Sequence, residues 1–255
     1  MRSRRAVLAG RAIAGVAIVA AAVTTPIVVA IDGAALEIDE VSGEGWSAHG
    51  IVVRFQLPQQ QTQAHVSVER LQLASLSQQL RDVRIECPQL ELSAVAIACK
   101  QARVAADWPG IGSQKLRASV VYGRNDGSLD VRLDGVRLGQ GTAEMQGSLR
   151  DGGWTARVRL KRAPVELLMK LAADFEMPLP SLSATGLVTL TADASGSPGV
   201  LQQARVSAQM LALTANSESG SLAADKLSFD MEAALRRSAG DWAFEAKVRS
   251  HQGQA

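Results

Sequence analysis

The chain has 255 residues, of which 47% are hydrophobic but only 4% are aromatic, so its apolar surfaces consist mainly of Val, Leu and Ala. The net charge of +2 arises from four arginines among residues 1–31, since the remainder contains 23 basic and 25 acidic side chains. This balance excludes the basic footprint of a nucleic-acid-binding protein, and the scarcity of aromatic rings excludes a stacking platform for bases or sugars.

The N-terminal segment has the charge and hydropathy pattern of a membrane-targeting sequence. Met1 to Arg11 is basic, and the stretch from Ala12 to Ile31 has 20 residues without a charge. Such a run matches a bilayer core and exceeds the usual hydrophobic region of a cleaved signal. We therefore predict a single-pass inner-membrane anchor within residues 1–33, with the N-terminus cytoplasmic and residues 34–255 periplasmic. A cleaved signal peptide ending near Ala30 is the main alternative, and a buried core helix is a third.

Residues 34–255 repeat one pattern, in which a short run of alternating apolar and polar residues ends at a Gly, Asp or Ser turn. The stretch from Leu129 to Asp134 shows it most plainly. A period of two places successive side chains on opposite faces of a strand. We therefore predict a mainly β exported domain, a long curved antiparallel meander with an open groove and one apolar face. The predicted strands are 34–40, 51–57, 66–68, 71–73, 83–85, 90–92, 95–98, 102–105, 116–122, 128–134, 136–138, 143–149, 154–160, 186–192, 204–213, 226–235 and 242–249.

The chain contains two cysteines, Cys87 and Cys99. An even number of cysteines in an exported chain is typical of a disulfide, so we predict a bond between them. A hairpin centred on Ser93 would place the two directly opposite each other. Residues 92–94 contain no Gly, Pro, Asn or Asp, however, and two buried free thiols remain the alternative.

One segment departs from the period of two. Between Pro164 and Phe175 the apolar residues recur at positions 165, 168, 169, 172 and 175, which is helical spacing. Proline suits the first turn of a helix, and Pro178 and Pro180 mark its end. We predict one amphipathic helix at 164–175 that lies on the sheet or closes one of its ends.

The alternation also assigns side chains to the two faces of the predicted sheet, because a slip of one residue would bury charges. The candidate groove is lined by Val131, Leu133, Val158, Leu160, Val188, Leu190, Val206 and Val248. The neighbours predicted to face water are Asp130, Arg132, Arg157, Arg159, Thr189 and Arg249.

The sequence contains no motif of an enzyme, a metal site or a cofactor site. No serine occupies a Gly-x-Ser-x-Gly elbow, and the histidines at 49, 65 and 251 lie in separate segments without ligand spacing. The segment from Gly110 to Lys115 lacks the spacing of a phosphate-binding loop. We predict no catalytic residue, no metal and no cofactor, and a function that depends on the apolar face.

The combination of a basic N-terminus, one anchor and a long run of alternating strands resembles the AsmA-like superfamily, which includes the TamB-, YhdP- and YdbH-like proteins. The first similar stretch is Val83 to Leu92 with Ile97-Ala98-Cys99. The second is the helical segment followed by Leu182 to Leu190. The third comprises residues 223–229, 241–245 and 251–255.

This resemblance implies a bridge-like lipid transfer protein, in which a curved sheet carries phospholipid acyl chains between the inner and outer membranes. It implies the membrane and phospholipid as partners, allows for a partner protein in the outer membrane or envelope, and implies no nucleic acid. We expect the chain to be the N-terminal part of a longer protein of this kind. A structural or interaction module of an envelope or secretion assembly is the alternative, and an enzyme whose site is invisible in the sequence is a third.

Overall fold

The structure, a computed structural model, describes residues 33–43, 46–57, 62–73, 79–174, 182–217, 223–238 and 241–254. These residues form one antiparallel sheet of 14 strands and a single helix. The predicted membrane anchor, residues 12–31, lies outside the described residues. Within the described ranges, no helix is long and apolar enough to cross a membrane.

The strands follow one another along the chain. The first seven are β1 (Gly33–Gly43), β2 (Trp46–Gln56), β3 (Gln63–Leu73), β4 (Leu80–Cys87), β5 (Leu90–Leu92), β6 (Ala96–Trp108) and β7 (Gly112–Gly123). The other seven are β8 (Leu129–Leu138), β9 (Gly141–Arg150), β10 (Gly153–Pro164), β11 (Leu182–Ser197), β12 (Val200–Ser217), β13 (Ala223–Ser238) and β14 (Asp241–Gln254). The helix α1 (Val165–Asp174) follows β10.

Each strand pairs with its neighbours in chain order, except that the short β5 pairs only with β6 and β4 pairs with β6 directly. The outermost strands β1 and β14 do not pair with each other in the described sheet. The prediction of a mainly β, antiparallel, open sheet is therefore confirmed. A short turn joins β7 to β8. Between β7 and β8, the Ser128 N–H donates to Asp126 Oδ1 at 3.0 Å, which lowers the pKa of that carboxyl.

Several predicted strands are parts of one longer strand. β3 joins the predicted strands 66–68 and 71–73, β6 joins 95–98 to 102–105, and β8 joins 128–134 to 136–138. The register shifts between Cys99 and Ala102 in β6 and between Asp134 and Val136 in β8. A bulge interrupts the alternation of side chains without ending the strand. At such a bulge the sequence pattern therefore predicts two separate strands, although the backbone continues as one strand.

Bulges also occur in β10, β12 and β13, near the end of the sheet that carries the helix. In each of these strands one non-glycine residue has a φ of 51°, beside a shift in register. A bulge leaves the N–H of its extra residue outside the ladder, where it needs another acceptor. Here a hydroxyl oxygen of the adjacent strand accepts it. The pairs are Arg162 N with Thr189 Oγ1 (3.3 Å), Ala212 N with Ser228 Oγ (3.1 Å) and Lys226 N with Thr214 Oγ1 (3.3 Å).

The bulge at Ala212 predicts a stabilising substitution. A Cβ is strained at positive φ, whereas glycine adopts this conformation freely. Ala212→Gly is expected to raise the free energy of unfolding by about 0.5–1 kcal/mol, measured by urea denaturation. The matched control is Ala208→Gly in the same strand, where the alanine is buried at 6% exposure and the change should destabilise. A lower free energy of unfolding for Ala212→Gly would contradict the interpretation that the backbone at Ala212 is strained.

The structure joins Cys87, at the end of β4, to Cys99 in β6 by a disulfide. The hairpin centred on Ser93 is wrong, because Leu92 pairs with Ile97 and Cys87 belongs to the preceding strand, which pairs with β3. Instead, the bond ties the end of β4 to β6, a strand with which β4 also pairs directly.

Removing this bond is expected to lower the stability of the sheet. The cysteines are 12 residues apart, and closing a loop of this length stabilises a fold by roughly 2–3 kcal/mol. The double variant Cys87→Ala/Cys99→Ala should lose about that much in urea denaturation. A reductant should destabilise the natural chain and leave the double variant unchanged. If the natural chain without reductant and the double variant had equal stability, the result would contradict a structural role for the bond.

Candidate functional site

The register of the strands defines two faces of the sheet, because residues directly paired across antiparallel strands lie on the same face. One row of paired residues crosses five strands from β10 to β14, and consists of Leu160, Leu190, Ala208, Met231 and Val248. A second row crosses seven strands from β8 to β14, and consists of Leu133, Met145, Val158, Ala192, Val206, Ala233 and Ala246. We call the surface that carries these rows the apolar face.

The structure places all eight predicted groove residues on the apolar face. Six of them belong to the two rows described above. Val131 lies two residues before Leu133 in β8, and Val188 pairs with Met210 and Ala163. Most of the eight are half-buried. Val188 is buried at 5% exposure, whereas Val248 in the outermost strand is 62% exposed. The face is thus partly covered and partly open to solvent.

A third row on the apolar face is built mostly of very small residues, which the sequence analysis did not identify. Its members are Val131, Gly147, Ala156, Ala194, Ala204, Leu235 and Phe244. Single alanines and glycines carry little signal in a search for alternating hydrophobicity. Gly147, Ala156, Ala194 and Ala204 form a low strip across four neighbouring strands of the apolar face.

The opposite surface, the polar face, carries all six residues predicted to face water. Arg150 donates to Asp130 at 2.6 Å, and Arg132 pairs with Asp134 at 2.9 Å. Thr189 is half-buried because its hydroxyl accepts the bulge N–H in β10. Exposed ion pairs contribute little to stability. Their main effect is to keep the polar face hydrated. This hydration fixes the register in which the apolar side chains lie on the opposite face.

The polar face also contains a large concave region that the sequence did not reveal. This groove, of about 810 Å³, crosses the strands from β7 to β13. Its lining includes the hydroxyls of Ser148 and Thr155 and the guanidinium groups of Arg157, Arg205 and Arg236. The lining also includes five residues of the third row of the apolar face, Val131, Gly147, Ala156, Ala194 and Ala204.

One end of the apolar face is covered by α1, as the predicted helix at 164–175 implied. The helix packs mainly on β10 and β11, and Phe175 lies outside the described residues. Ala163, where β10 reaches the helix, has 0% exposure. We call this covered region the closed end. Its buried residues are Val136, Leu138, Ala143, Ala163, Val165, Ala184, Val188, Ala208 and Ala215.

Gln114 is a buried polar residue beside the closed end, with 2% exposure. Its Nε2 donates to the carbonyl oxygens of Ile111 (3.0 Å) and Arg137 (3.3 Å), and its Oε1 accepts the Arg137 N–H at 2.8 Å. The amide thus satisfies backbone groups of β8 and of the turn before β7. A buried amide with this many partners rigidifies the edge of the closed end.

A second, separate hydrophobic cluster lies on β2, β3 and β4. Its buried residues are Ala48, Ile51, Val53, Val68 and Val83. Farther along the strands that carry the closed end, the apolar face consists of half-buried residues such as Val131 in β8, Val158 in β10 and Val206 in β12. This middle stretch is the candidate site, because its apolar side chains belong to neither packed cluster.

Two histidines of the described residues each lie beside one carboxylate. His49 lies 3.7 Å from Glu40 in β1, and His251 lies 2.7 Å from Asp230 in β13. These two pairs are on strands near opposite edges of the sheet. No group of three or more His, Cys, Asp and Glu side chains in the described ranges is arranged to hold a metal ion.

Comparison of the chain with models of protein families finds no match, and comparisons with curated proteins and with solved structures find none either. We therefore infer a function from the geometry of the apolar face.

Proposed function

We propose that this chain is an inner-membrane-anchored periplasmic protein that takes part in phospholipid transport between the inner and outer membranes. In this proposal, acyl chains lie on the middle stretch of the apolar face. The observation that carries it is the pair of continuous apolar rows, which cross up to seven strands and are only half-buried at Val158 and Val206. Covering such a surface with hydrocarbon is favourable at about 25 cal/mol per Å².

The chemistry of the face matches an acyl chain better than a polar or aromatic ligand. Its side chains are aliphatic, and the strip around Ala156 and Ala194 lets a flexible chain lie close to the backbone. A contiguous apolar surface that is left open to solvent usually marks a site for a partner or a lipid. Since the charged residues around the middle stretch, such as Arg157, Arg159 and Arg205, lie on the opposite face, a lipid there would keep its acyl chains away from them.

The proposed attachment to the membrane rests on the N-terminal sequence. The uncharged run from Ala12 to Ile31 has the length of a bilayer span, and the arginines before it favour a cytoplasmic N-terminus. In this arrangement the sheet begins directly outside the inner membrane, where lipid can reach its apolar face.

Site-specific photocrosslinking in intact cells tests the proposal. The photoreactive residue p-benzoylphenylalanine would replace Val206 on the apolar face or, as the matched control, Ser207 on the polar face. We expect phospholipid adducts from the first position and none above background from the second, identified by mass spectrometry.

The same experiment distinguishes lipid transport from the alternative function, a structural or interaction module of an envelope assembly. This alternative is favoured by the exposed apolar side chains of β14, Trp242 and Phe244, which are 45% and 69% exposed. Protein adducts at Val206, without lipid adducts, would support that function and contradict lipid transport.

A further inference from the structure

The groove on the polar face lies on interior strands of the sheet. It has a volume of about 810 Å³, and every strand that carries it, from β7 to β13, pairs with a neighbour on both sides. A concave site of several hundred cubic ångströms has the size of a small-molecule binding site. We call this region the polar groove.

Two rows of residues on the polar face form the walls of the polar groove. Each row consists of residues that are directly paired across neighbouring strands. The first row contains Ser148, Thr155, Ser195, Gln203 and Arg236. The second row contains Arg132, Gln146, Arg157, Asp193 and Arg205. Lining residues between the rows, such as Ala156 and Ala194, have side chains on the apolar face, so their backbone forms the floor.

The lining of the polar groove has an excess of positive charge. It contains four arginines and two aspartates, which give a net charge of +2. Two of the arginines, Arg132 and Arg157, form ion pairs with aspartates. The other two, Arg205 and Arg236, are exposed and form no ion pair with any acidic side chain in the described ranges, including the glutamates of β13 and β14 on the same face.

The two arginines without an ion pair are neighbours. Gln203 pairs with Arg236, and Arg205 follows Gln203 by two positions in β12, on the same face. Diagonal neighbours of this kind have Cβ atoms about 7–8 Å apart, which is within reach of long side chains. Asp193, directly opposite Arg205, is already bound in an ion pair. Two adjacent guanidinium groups therefore point into one end of the polar groove without a carboxylate to neutralise them.

We propose that the polar groove binds a phosphate monoester of a small hydroxylated molecule, with the phosphate between Arg205 and Arg236. The planar fork of a guanidinium matches the spacing of phosphate oxygens. A phosphate monoester carries a charge of about −1.5 to −2 at pH 7, which balances the excess charge of the lining. A carboxylate or a phosphodiester carries a single charge and would leave part of this excess.

The neutral wall of the polar groove fits the remainder of such a ligand. Ser195 pairs with Gln203 beside the two arginines, and Thr155 and Ser148 continue the same row. Their hydroxyl and amide groups can both donate and accept hydrogen bonds, as the hydroxyl groups of a ligand require. The polar groove lies on the face opposite to the one proposed for acyl chains, so this inference does not depend on lipid transport.

Isothermal titration calorimetry of the full chain in detergent tests the site, with glycerol 3-phosphate as the probe. Arg205→Gln and Arg236→Gln should each raise the Kd of the probe by roughly tenfold or more, because each removes charge-assisted hydrogen bonds. The matched control is Arg159→Gln, which removes an exposed arginine from the same face outside the polar groove. Its Kd should stay close to that of the natural chain. No binding to the natural chain, or an equal effect of all three variants, would overturn the site.

Two further probes test the class of ligand. Inorganic phosphate should bind more weakly than glycerol 3-phosphate, because it cannot reach the neutral wall. Glycerophosphoglycerol, the deacylated diester headgroup of phosphatidylglycerol, should also bind more weakly because it carries a single charge. Equal affinity for inorganic phosphate would overturn the hydroxylated ligand, and tighter binding of the diester would overturn the monoester in favour of a lipid headgroup.

Thermal unfolding provides a readout that does not depend on calorimetry. A ligand that binds the folded state raises its Tm. Glycerol 3-phosphate should therefore raise the Tm of the natural chain and leave that of the double variant R205Q/R236Q unchanged, followed by circular dichroism. The same spectra show whether the double variant retains its strands. An equal rise in Tm for both proteins would contradict binding between the two arginines.

Discussion

Val158→Asp is expected to reduce the yield of phospholipid adducts at Val206 by roughly tenfold or more, while the protein stays folded. Val158 and Val206 lie in one row of the apolar face, separated by Ala192 in the strand between them. A carboxylate in this row would lose its hydration beneath an acyl chain. In the lipid-free protein the same carboxylate remains partly solvated, because Val158 is only half-buried and belongs to neither hydrophobic cluster.

Two matched variants separate lipid contact from folding. Thr155→Asp introduces the same charge into β10 on the polar face and should leave both adduct yield and stability unchanged. Leu190→Asp lies on the apolar face but packs against the closed end, so it should lower both. Global unfolding of Val158→Asp would contradict an open face and favour a sealed interface with a partner protein.

Ala163→Asp is expected to destabilise the protein by about 4 kcal/mol or more, the largest loss among the variants considered. Ala163 has 0% exposure, next to the bulge where β10 meets α1. A carboxylate there has neither room nor a cationic partner in the closed end, whose buried residues are apolar. Urea denaturation followed by circular dichroism should show an early loss of structure, or a protein that does not fold.

The matched control for this variant is Ala156→Asp. Ala156 lies on the same face of the same strand but is half-buried and remote from the helix. Its substitution should cost less than about 1.5 kcal/mol. Equal stability of the two variants would contradict the distinction between a packed closed end and an open middle stretch.

The faces of the sheet were predictable from the sequence because their signal is local. Alternation in segments such as Leu129 to Asp134 fixes which side chains share a face, and a charged neighbour on each side penalises any other register. Antiparallel pairing between successive strands then brings the apolar residues of different strands together. The groove residues could therefore be assigned before their partners were known.

Other features of the structure could not be predicted from the sequence, because they depend on contacts between strands. A local pattern of residues does not contain such contacts. The bulge residues Arg162, Ala212 and Lys226 have no common identity, and the hydroxyls that accept their N–H groups lie on other strands. The strip of Ala and Gly residues and the groove on the polar face likewise arise only when the register aligns many strands. The hairpin partner of Cys99 was also misplaced, because the turn is centred between Ala94 and Val95, where Cys99 pairs with Leu90.

Photocrosslinking along one strand tests the central claim most directly. p-Benzoylphenylalanine would be placed in turn at the six consecutive positions of β10 from Thr155 to Leu160. If the apolar face carries lipid, phospholipid adducts are expected at Ala156, Val158 and Leu160. Only background levels of adduct are expected at Thr155, Arg157 and Arg159. Adducts at the second set, at all six positions alike, or at none of them would contradict a lipid-binding apolar face.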